Sequence, residues 1–497
     1  MVENITQRTI HGLKWSYIST ISTAIMQIGY TAVMARLLNP SDFGLVAMSG
    51  VVLRFGQYFA QMGMGSAIIQ KKELNKANIS AAFTSSIILG LLFTILTFFL
   101  APLAKYVFNN IEVVPIVKVM GLSFLINGFS LTALALIRRS LDFKNLAFAE
   151  ITAYIIGYLF VGIGSALLGN GVWSLVYASL SQSLILALLT FLIIRHKVTL
   201  SFSWADYKPL LSFGSKVSII SFLEFIGSSL DTILIGRFFG DQKLGFYNRA
   251  QMLINLPMTY LITSFSKVLF PSLSIIQDDN ERIKRNMFVI LKMAAIIILP
   301  FAAVVSILSK EIVFVLLGTK WMESVNLLHI LAFAGAINFL EHLITVLFEA
   351  KEFLKEKIYV QTSYIFVLLT AYYLLFSLGV KGFAIGLLCS LIVKFVVYSS
   401  IFLNKMNIKL IEFLKVFTAP FLSTVIILCL LIPFHSLFNL LNINLYVKFL
   451  VSIIFTIILY IFVLFFKFNA DIKYNIFALL MIILKKKNGH SFASKWQ

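Results

Sequence analysis

The sequence predicts an all-α polytopic membrane protein. Its fourteen transmembrane helices form two six-helix lobes related by a parallel pseudo-two-fold repeat, with two further helices at the C-terminus. Three observations point there. Hydrophobic residues make up 60% of the 497 and charged residues 12%, where a soluble chain averages about 45–50% and about 25%. Segments such as 290–301, Lys292 aside, and 449–466 run apolar without alternation, as a lipid-embedded helix does and a barrel strand does not. Basic residues alternate between dense and sparse from one inter-helix joint to the next, the pattern of a chain that crosses the bilayer repeatedly.

The same composition excludes a disulfide scaffold, a disordered chain and a nucleic-acid-binding domain. The net charge of +20, from 41 Lys and Arg against 21 Asp and Glu, orients a membrane chain rather than recruiting nucleic acid. Cys389 and Cys429 both lie in apolar runs, so neither a disulfide framework nor a Cys-rich metal site is expected.

Taken in order, apolar windows fall at 12–36, 43–69, 79–107, 113–137, 146–168 and 171–194, then at 209–236, 244–271, 286–308, 325–348, 358–378 and 382–403, and last at 412–434 and 445–467. The first is too long for a signal-peptide core and contains Lys14 and Trp15, so it reads as a retained helix. With a cytoplasmic N-terminus the inner joints and tail hold 26 basic residues and the outer joints 8, a bias that puts both termini inside. Outer joints are short, which leaves no room for an extracytoplasmic catalytic domain. Residues 472–484 are too short to span and run into Lys485, Lys486 and Lys487, the pattern of an interfacial helix or of a frayed tail. The divisions are 1–205 for the first lobe, 206–410 for the second, 411–470 for the last two helices and 471–497 for a cytoplasmic tail.

An internal echo supports the two lobes. Residues 35–45, ARLLNPSDFGL, and 236–246, GRFFGDQKLGF, align without a gap at a shift of 201, matching Arg36 to Arg237 and Gly44 to Gly245. Each segment joins the first and second helices of a six-helix set. Six helices return the chain to its starting side, so the halves share topology and are related by an axis along the membrane normal.

Charged groups deep in the bilayer carry the functional information, since each costs about 2.5–3.5 kcal/mol at a helix centre even on the lenient insertion scale. Arg54 lies eleven residues into the second window, about 16 Å along a helix, too deep to snorkel. Arg249 occupies the corresponding eighth helix, and Lys216 and Lys394 complete the deep basic set. Guanidinium groups stay charged at any accessible pH and grip phosphate oxygens with a two-pronged donor fork, so this set is the candidate anion site. The alternative for each arginine is an internal salt bridge to Asp231 or Glu224. Those two carboxylates are seven residues apart on the seventh helix and share one face. With Glu341 they are candidates for a coupling H+ or Na+, or else for pairing with Lys216, Arg237 or Arg249. There is no Walker A loop, dinucleotide fingerprint, HExxH or Ser-centred nucleophile motif, so a cofactor-free non-enzyme is expected.

The segment MARLLNPSDFGLVAMSGVVLRFGQYFAQMGMGSAIIQKKELN (34–75), with GNGVWSLV (169–176) and IGRFFGDQKLGFYNRAQML (235–253), resembles the bacterial polysaccharide-biosynthesis flippases of the O-antigen, colanic acid and teichuronic acid exporter type. These belong to the multidrug/oligosaccharidyl-lipid/polysaccharide exporter superfamily. The resemblance covers about residues 1–410. It implies a cavity between two lobes that alternates between membrane faces, moving an undecaprenyl-pyrophosphate-linked oligosaccharide from the cytoplasmic to the outer leaflet of the bacterial inner membrane. Related flippases use cavity arginines in the corresponding helices, so the resemblance implies that role for Arg54 and Arg249. The implied partners are membrane lipids, glycosyltransferases and a polysaccharide polymerase. Two other readings stand beside it: a cation-coupled drug antiporter of the same fold, using Glu224, Asp231 and Glu341, and a membrane-embedded polymerase or acyltransferase using His329 or His342.

Overall fold

A computed structural model describes residues 2–61, 65, 68–69, 74–195, 204–440 and 444–465. The tail at 471–497, with its expected interfacial helix, lies outside the described residues. Those described form helices and connecting turns, with no strand among them. The first group is α1 (Val2–Leu37), α2 (Pro40–Gln61), α3 (Lys76–Phe108), α4 (Val113–Met120), α5 (Leu122–Arg139), α6 (Phe143–Tyr154), α7 (Ile163–Leu167) and α8 (Trp173–Ile194). A π-helical stretch, Ile155–Gly162, joins α6 to α7. Next, Trp204–Ile275 runs as helix with one break at Gly240, which divides it into α9 (204–239) and α10 (241–275). Then come α11 (Asn280–Ile307), α12 (Ser309–Leu316), α13 (Ser324–Ala350), α14 (Leu354–Leu374), α15 (Gly379–Lys405), α16 (Leu410–Leu440) and α17 (Leu445–Phe465).

Local chemistry sets several of these boundaries. α3 starts at a reciprocal capping box, in which Asn75 accepts from the Asn78 amide at 2.8 Å and the Asn78 side chain accepts from the Asn75 amide at 3.4 Å, satisfying donors that the first turn otherwise orphans. α11 starts at Asp279, whose carboxylate accepts from the Arg282 amide at 3.0 Å. The joint between α9 and α10 is a single residue, Gly240, at φ 82 and ψ 178, a conformation that a side chain would make costly.

Ten helical segments among the described residues are long and apolar enough to cross a membrane. Four other long helices, α2, α9, α10 and α14, carry Arg54, Asp231, Arg249 and Lys357, which line an internal cavity. Where packing is tight the core is small and aliphatic: Ala294, Ala295, Ala302 and Ala303 of α11 are buried, as are Ala332, Ala334 and Ala336 of α13, and side chains of this size let helix backbones approach.

At one end of the molecule, where α1 meets α2 and α9 meets α10, long-range contacts tie the first six helical passages to the rest. Arg36 donates to the carbonyls of Val315 at 2.7 Å and Leu316 at 3.1 Å, the last carbonyls of α12. Arg237 donates to the carbonyls of Tyr106 and Val107 near the end of α3. Helix C-termini present unpaired carbonyls and partial negative charge, so a guanidinium is a well-matched cap. These partners lie on the opposite half of the chain in each case, and neither arginine is among the residues lining the cavity. Trp321, fully buried, adds an indole N–H bond to the Ala35 carbonyl at 2.8 Å and sits edge-on to Phe43 and Phe246.

Candidate functional site: a charged central cavity

A cavity of about 1000 Å³ lies between the two groups of helices, walled by α1, α2, the α6 to α7 stretch and α8 on one side and by α9, α10, α13, α14 and α15 on the other. Six of the seven residues singled out from sequence line it: Arg54, Arg249 and Lys394 among the bases and Glu224, Asp231 and Glu341 among the acids. The seventh, Lys216, has a side chain outside the described residues.

The two arginines differ from the lysines in one respect. Arg54 is exposed and lines the cavity, and among the described residues its only hydrogen bond runs from Nε to the Gly50 carbonyl at 3.3 Å. Arg249 donates from Nη2 to the Asn248 side chain at 2.8 Å, its guanidinium lies 4.5 Å from the centre of the Phe43 ring, and its buried Nε has no partner. Neither arginine has a carboxylate within 4.0 Å among the described residues. The salt bridges to Asp231 or Glu224 that sequence left open are not formed, and Arg249 faces the cavity rather than a membrane surface.

The lysines are taken. Lys394 pairs with Glu341 at 3.4 Å, joining a residue read as substrate-binding to one read as ion-coupling. Lys357 bridges Glu224 at 2.9 Å and Glu349 at 2.7 Å. Lys357 and Glu349 escaped notice as site residues because they sit next to the α13–α14 turn, where charges ordinarily face water. The proximity of both to Glu224, which is distant in sequence, is a tertiary fact with no local signature.

Asp231 is handled differently from the other acids. It is 3% exposed and accepts hydrogen bonds from the Tyr247 hydroxyl at 2.9 Å, the Gln251 amide at 3.0 Å and the Thr232 amide at 2.6 Å, all neutral donors. The pairing with Arg237 or Arg249 is absent among the described residues, and Arg237 is instead engaged with the Tyr106 and Val107 carbonyls. The seven-residue spacing on one face does bring Glu224 and Asp231 into the same cavity, although Glu224 has a lysine and Asp231 has none among the described residues. His342 lines the cavity with Nε2 at 3.0 Å from the Ser266 hydroxyl, while His329 Nδ1 lies 2.8 Å from the Ser306 hydroxyl and does not line it. No cluster of three metal-ligating side chains occurs among the described residues.

Four cations and four carboxylates therefore face one space, but only the lysines are neutralised by direct contact. Such an arrangement can accept an anion at the arginines without first breaking a salt bridge. Charge–charge attraction in a partly dehydrated cavity is several times stronger than at a protein surface.

Residues 33–326 match the family described as polysaccharide biosynthesis protein. The chain is 25% identical over 340 residues to the lipopolysaccharide biosynthesis protein WzxC of Escherichia coli (strain K12), covering 67% of this chain and 68% of that one. It is 24% identical over 339 residues to the teichuronic acid biosynthesis protein TuaB of Bacillus subtilis (strain 168), covering 68% and 70%. Among solved structures it is similar to the lipid II flippase MurJ in an inward closed conformation, with a TM-score of 0.71 at 14% identity over 91% of this chain and 98% of that one. A multidrug resistance MATE family transporter in an inward-facing conformation matches with a TM-score of 0.61 at 17% identity, covering 78% and 95%. At these identities the structural matches show the fold alone, while the curated relatives and the apolar helices indicate a multi-pass bacterial membrane protein.

Proposed function

Because the chain belongs to the polysaccharide biosynthesis protein family, we propose that it is a flippase carrying an undecaprenyl-pyrophosphate-linked oligosaccharide from the cytoplasmic to the outer leaflet. The observation that carries this reading is the pair of cavity arginines, Arg54 and Arg249, that have no carboxylate partner while both cavity lysines do. A pyrophosphate in hydrocarbon is prohibitively costly, and these two groups offer it a wet cationic path while the polyprenyl tail stays in lipid. Lys394 and Lys216 are secondary members of the anion site. For Lys394, engagement requires release from Glu341.

The mechanism is alternating access. Fourteen crossings, the ten apolar segments together with α2, α9, α10 and α14, make two six-helix halves related by the repeat, plus α16 and α17. With both termini cytoplasmic, as the 26 to 8 basic bias supports, the end clasped by Arg36, Arg237 and Trp321 faces outward and is closed, and the cavity opens to the cytoplasm. Transport parts that clasp and closes the inner end. A coupling H+ or Na+ resets the cycle at Glu224, Asp231 and Glu341. Asp231 is the best supported of the three, because among the described residues it accepts only from neutral donors and has no basic partner. The protein performs no covalent chemistry in this reading. Its partners in the inner membrane are lipids and the glycosyltransferases and polymerase that make and use its cargo.

One observation favours a second reading, a cation-coupled drug antiporter: four carboxylates line the cavity, enough to receive a cationic substrate. The two readings are separated by charge. Neutralising Arg54 and Arg249 abolishes polysaccharide export if the cargo is a pyrophosphate lipid. If export survives that change while Asp231→Asn removes drug resistance, the antiporter reading replaces it. A polymerase or acyltransferase using His329 or His342 has no such support, and normal export after changing both histidines removes it.

A further inference from the structure

Among the described residues, the cavity wall supplied by the first six helical passages carries a single charge, Arg54, its other polar groups being phenols, carboxamides and the hydroxyls of Thr31 and Ser179 set among apolar side chains, whereas the opposite wall holds the remaining charges. Three tyrosines dominate the neutral wall. Tyr154 and Tyr158 stack with ring centres 4.6 Å apart, and Tyr30 meets Tyr158 edge-on at 4.9 Å. Gln27, Ser179 and Gln182 complete the surface.

The backbone beneath them is unusual. Ile155–Gly162 is π-helical over eight residues, and π turns are rare and concentrate at functional sites. Within that stretch a Cβ on Gly157 would lie 2.5 Å from the Gln182 amide nitrogen. The π-helical turn and α8 thus touch backbone to backbone, which delivers Gln182 beside the tyrosines. The Tyr30 hydroxyl is buried, on a residue 6% exposed, and makes no hydrogen bond. A buried hydroxyl is destabilising unless something supplies its partner.

We infer that this wall is the saccharide subsite, receiving the sugar next to the pyrophosphate while Arg54 and Arg249 hold the phosphates. The inference rests on the flippase reading above. Sugars offer many neutral hydroxyls and C–H faces, which pair with phenol and carboxamide groups and pack against rings. Charged side chains are better spent on the phosphates. Position agrees: the Thr31 hydroxyl touches Met252 Sδ at 3.7 Å, so Tyr30 on α1 lies against the turn of α10 that carries Arg249. A sugar joined directly to the pyrophosphate reaches the wall without a spacer.

The test uses the full-length chain in lipid nanodiscs and two probes, undecaprenyl pyrophosphate alone and the same lipid bearing one N-acetylglucosamine. The wild-type chain binds the sugar-bearing probe more tightly, by roughly tenfold for one or two good neutral hydrogen bonds. Tyr30→Phe and Gln182→Leu each reduce that ratio several-fold and leave the affinity for the bare lipid unchanged. Tyr30→Phe serves as the control for folding, since deleting an unpartnered hydroxyl does not lower the melting temperature. Equal binding of both probes by the wild-type chain, or an unchanged ratio in both variants, overturns the subsite. Failure of the wild-type chain to bind the bare lipid at all overturns the flippase reading itself, and that result is distinct from the other two.

Discussion

Gly44 and Gly245 each press against the first residue of the other's helix: a Cβ on Gly44 would overlap the Asp241 carbonyl, and a Cβ on Gly245 the Pro40 carbonyl. The two glycines are the pair matched by the 201-residue shift, and so are Pro40 and Asp241. The short echo in sequence thus marks a reciprocal contact between the starts of α2 and α10, where only glycine lets the backbones meet.

Gly44→Val or Gly245→Val wedges that contact open. Export falls by at least about tenfold, since destabilising one of two alternating states by some 1.4 kcal/mol already shifts their ratio that far. The check is labelling of Ser41→Cys by a membrane-impermeant maleimide from outside the cell, which rises in the wedge variants while membrane insertion stays normal.

Arg36→Lys fails to rescue the clasp that Arg36→Ala breaks. Its guanidinium places Nη1 and Nη2 on two neighbouring carbonyls, a fork that an ammonium cannot reproduce. Losing that pair costs about 1.5–3 kcal/mol. Thermal unfolding in detergent detects the loss, and near wild-type stability of the lysine variant would count against the clasp.

Glu311 on α12 joins the end of the molecule to the last two helices. It is fully buried and meets Lys448 at 2.8 Å and His435 at 3.1 Å. Burial pushes its carboxyl upward, but the hydrogen bonds from His435 and Lys448 outweigh this and hold it at about 2, below the ordinary 4.5. The folded value is the lower one, so the contribution to stability is complete above pH 4.5 and disappears as pH falls from there towards 2. Glu311→Gln removes the carboxylate that Lys448 and His435 share, a loss of about 3–5 kcal/mol for a broken buried pair. Melting curves between pH 3 and pH 7 flatten in the variant if the pair matters.

Asp231→Asn keeps the size and most of the hydrogen bonds of the side chain and removes its charge. Transport in liposomes then loses its response to an imposed H+ or Na+ gradient, whereas Glu341→Gln has the smaller effect because Lys394 already balances Glu341. A gradient response retained by Asp231→Asn assigns coupling elsewhere.

Much of the fold was legible because a bilayer imposes a long apolar signature on each crossing. The joints at Arg36 and Arg237 came through as well, since the repeated segments 35–45 and 236–246 mark them. The membership of Arg54, Arg249, Lys394, Glu224, Asp231 and Glu341 in one cavity followed from the cost of burying charge in lipid, which forces such groups inward. Pairing did not follow. Whether Lys394 faces Glu341 or a ligand, and whether Glu224 meets Lys216 or Lys357, depends on helix rotations of a few tens of degrees that no local pattern encodes. The tyrosine wall was missed for a related reason: Tyr30 is remote in sequence from Tyr154 and Tyr158, and aromatic residues in a membrane helix are unremarkable until neighbouring elements place them together.

The central claim is that a lipid-linked saccharide crosses the bilayer by way of Arg54 and Arg249. The most direct measurement is the leaflet that holds the lipid-linked repeat unit in living cells. On depletion of this protein the repeat should accumulate on the cytoplasmic leaflet, return to the outer leaflet with the wild-type chain, and remain inside with Arg54→Gln/Arg249→Gln expressed at equal level. Outer-leaflet repeat units in depleted cells, or full restoration by the doubly neutralised chain, would contradict the account.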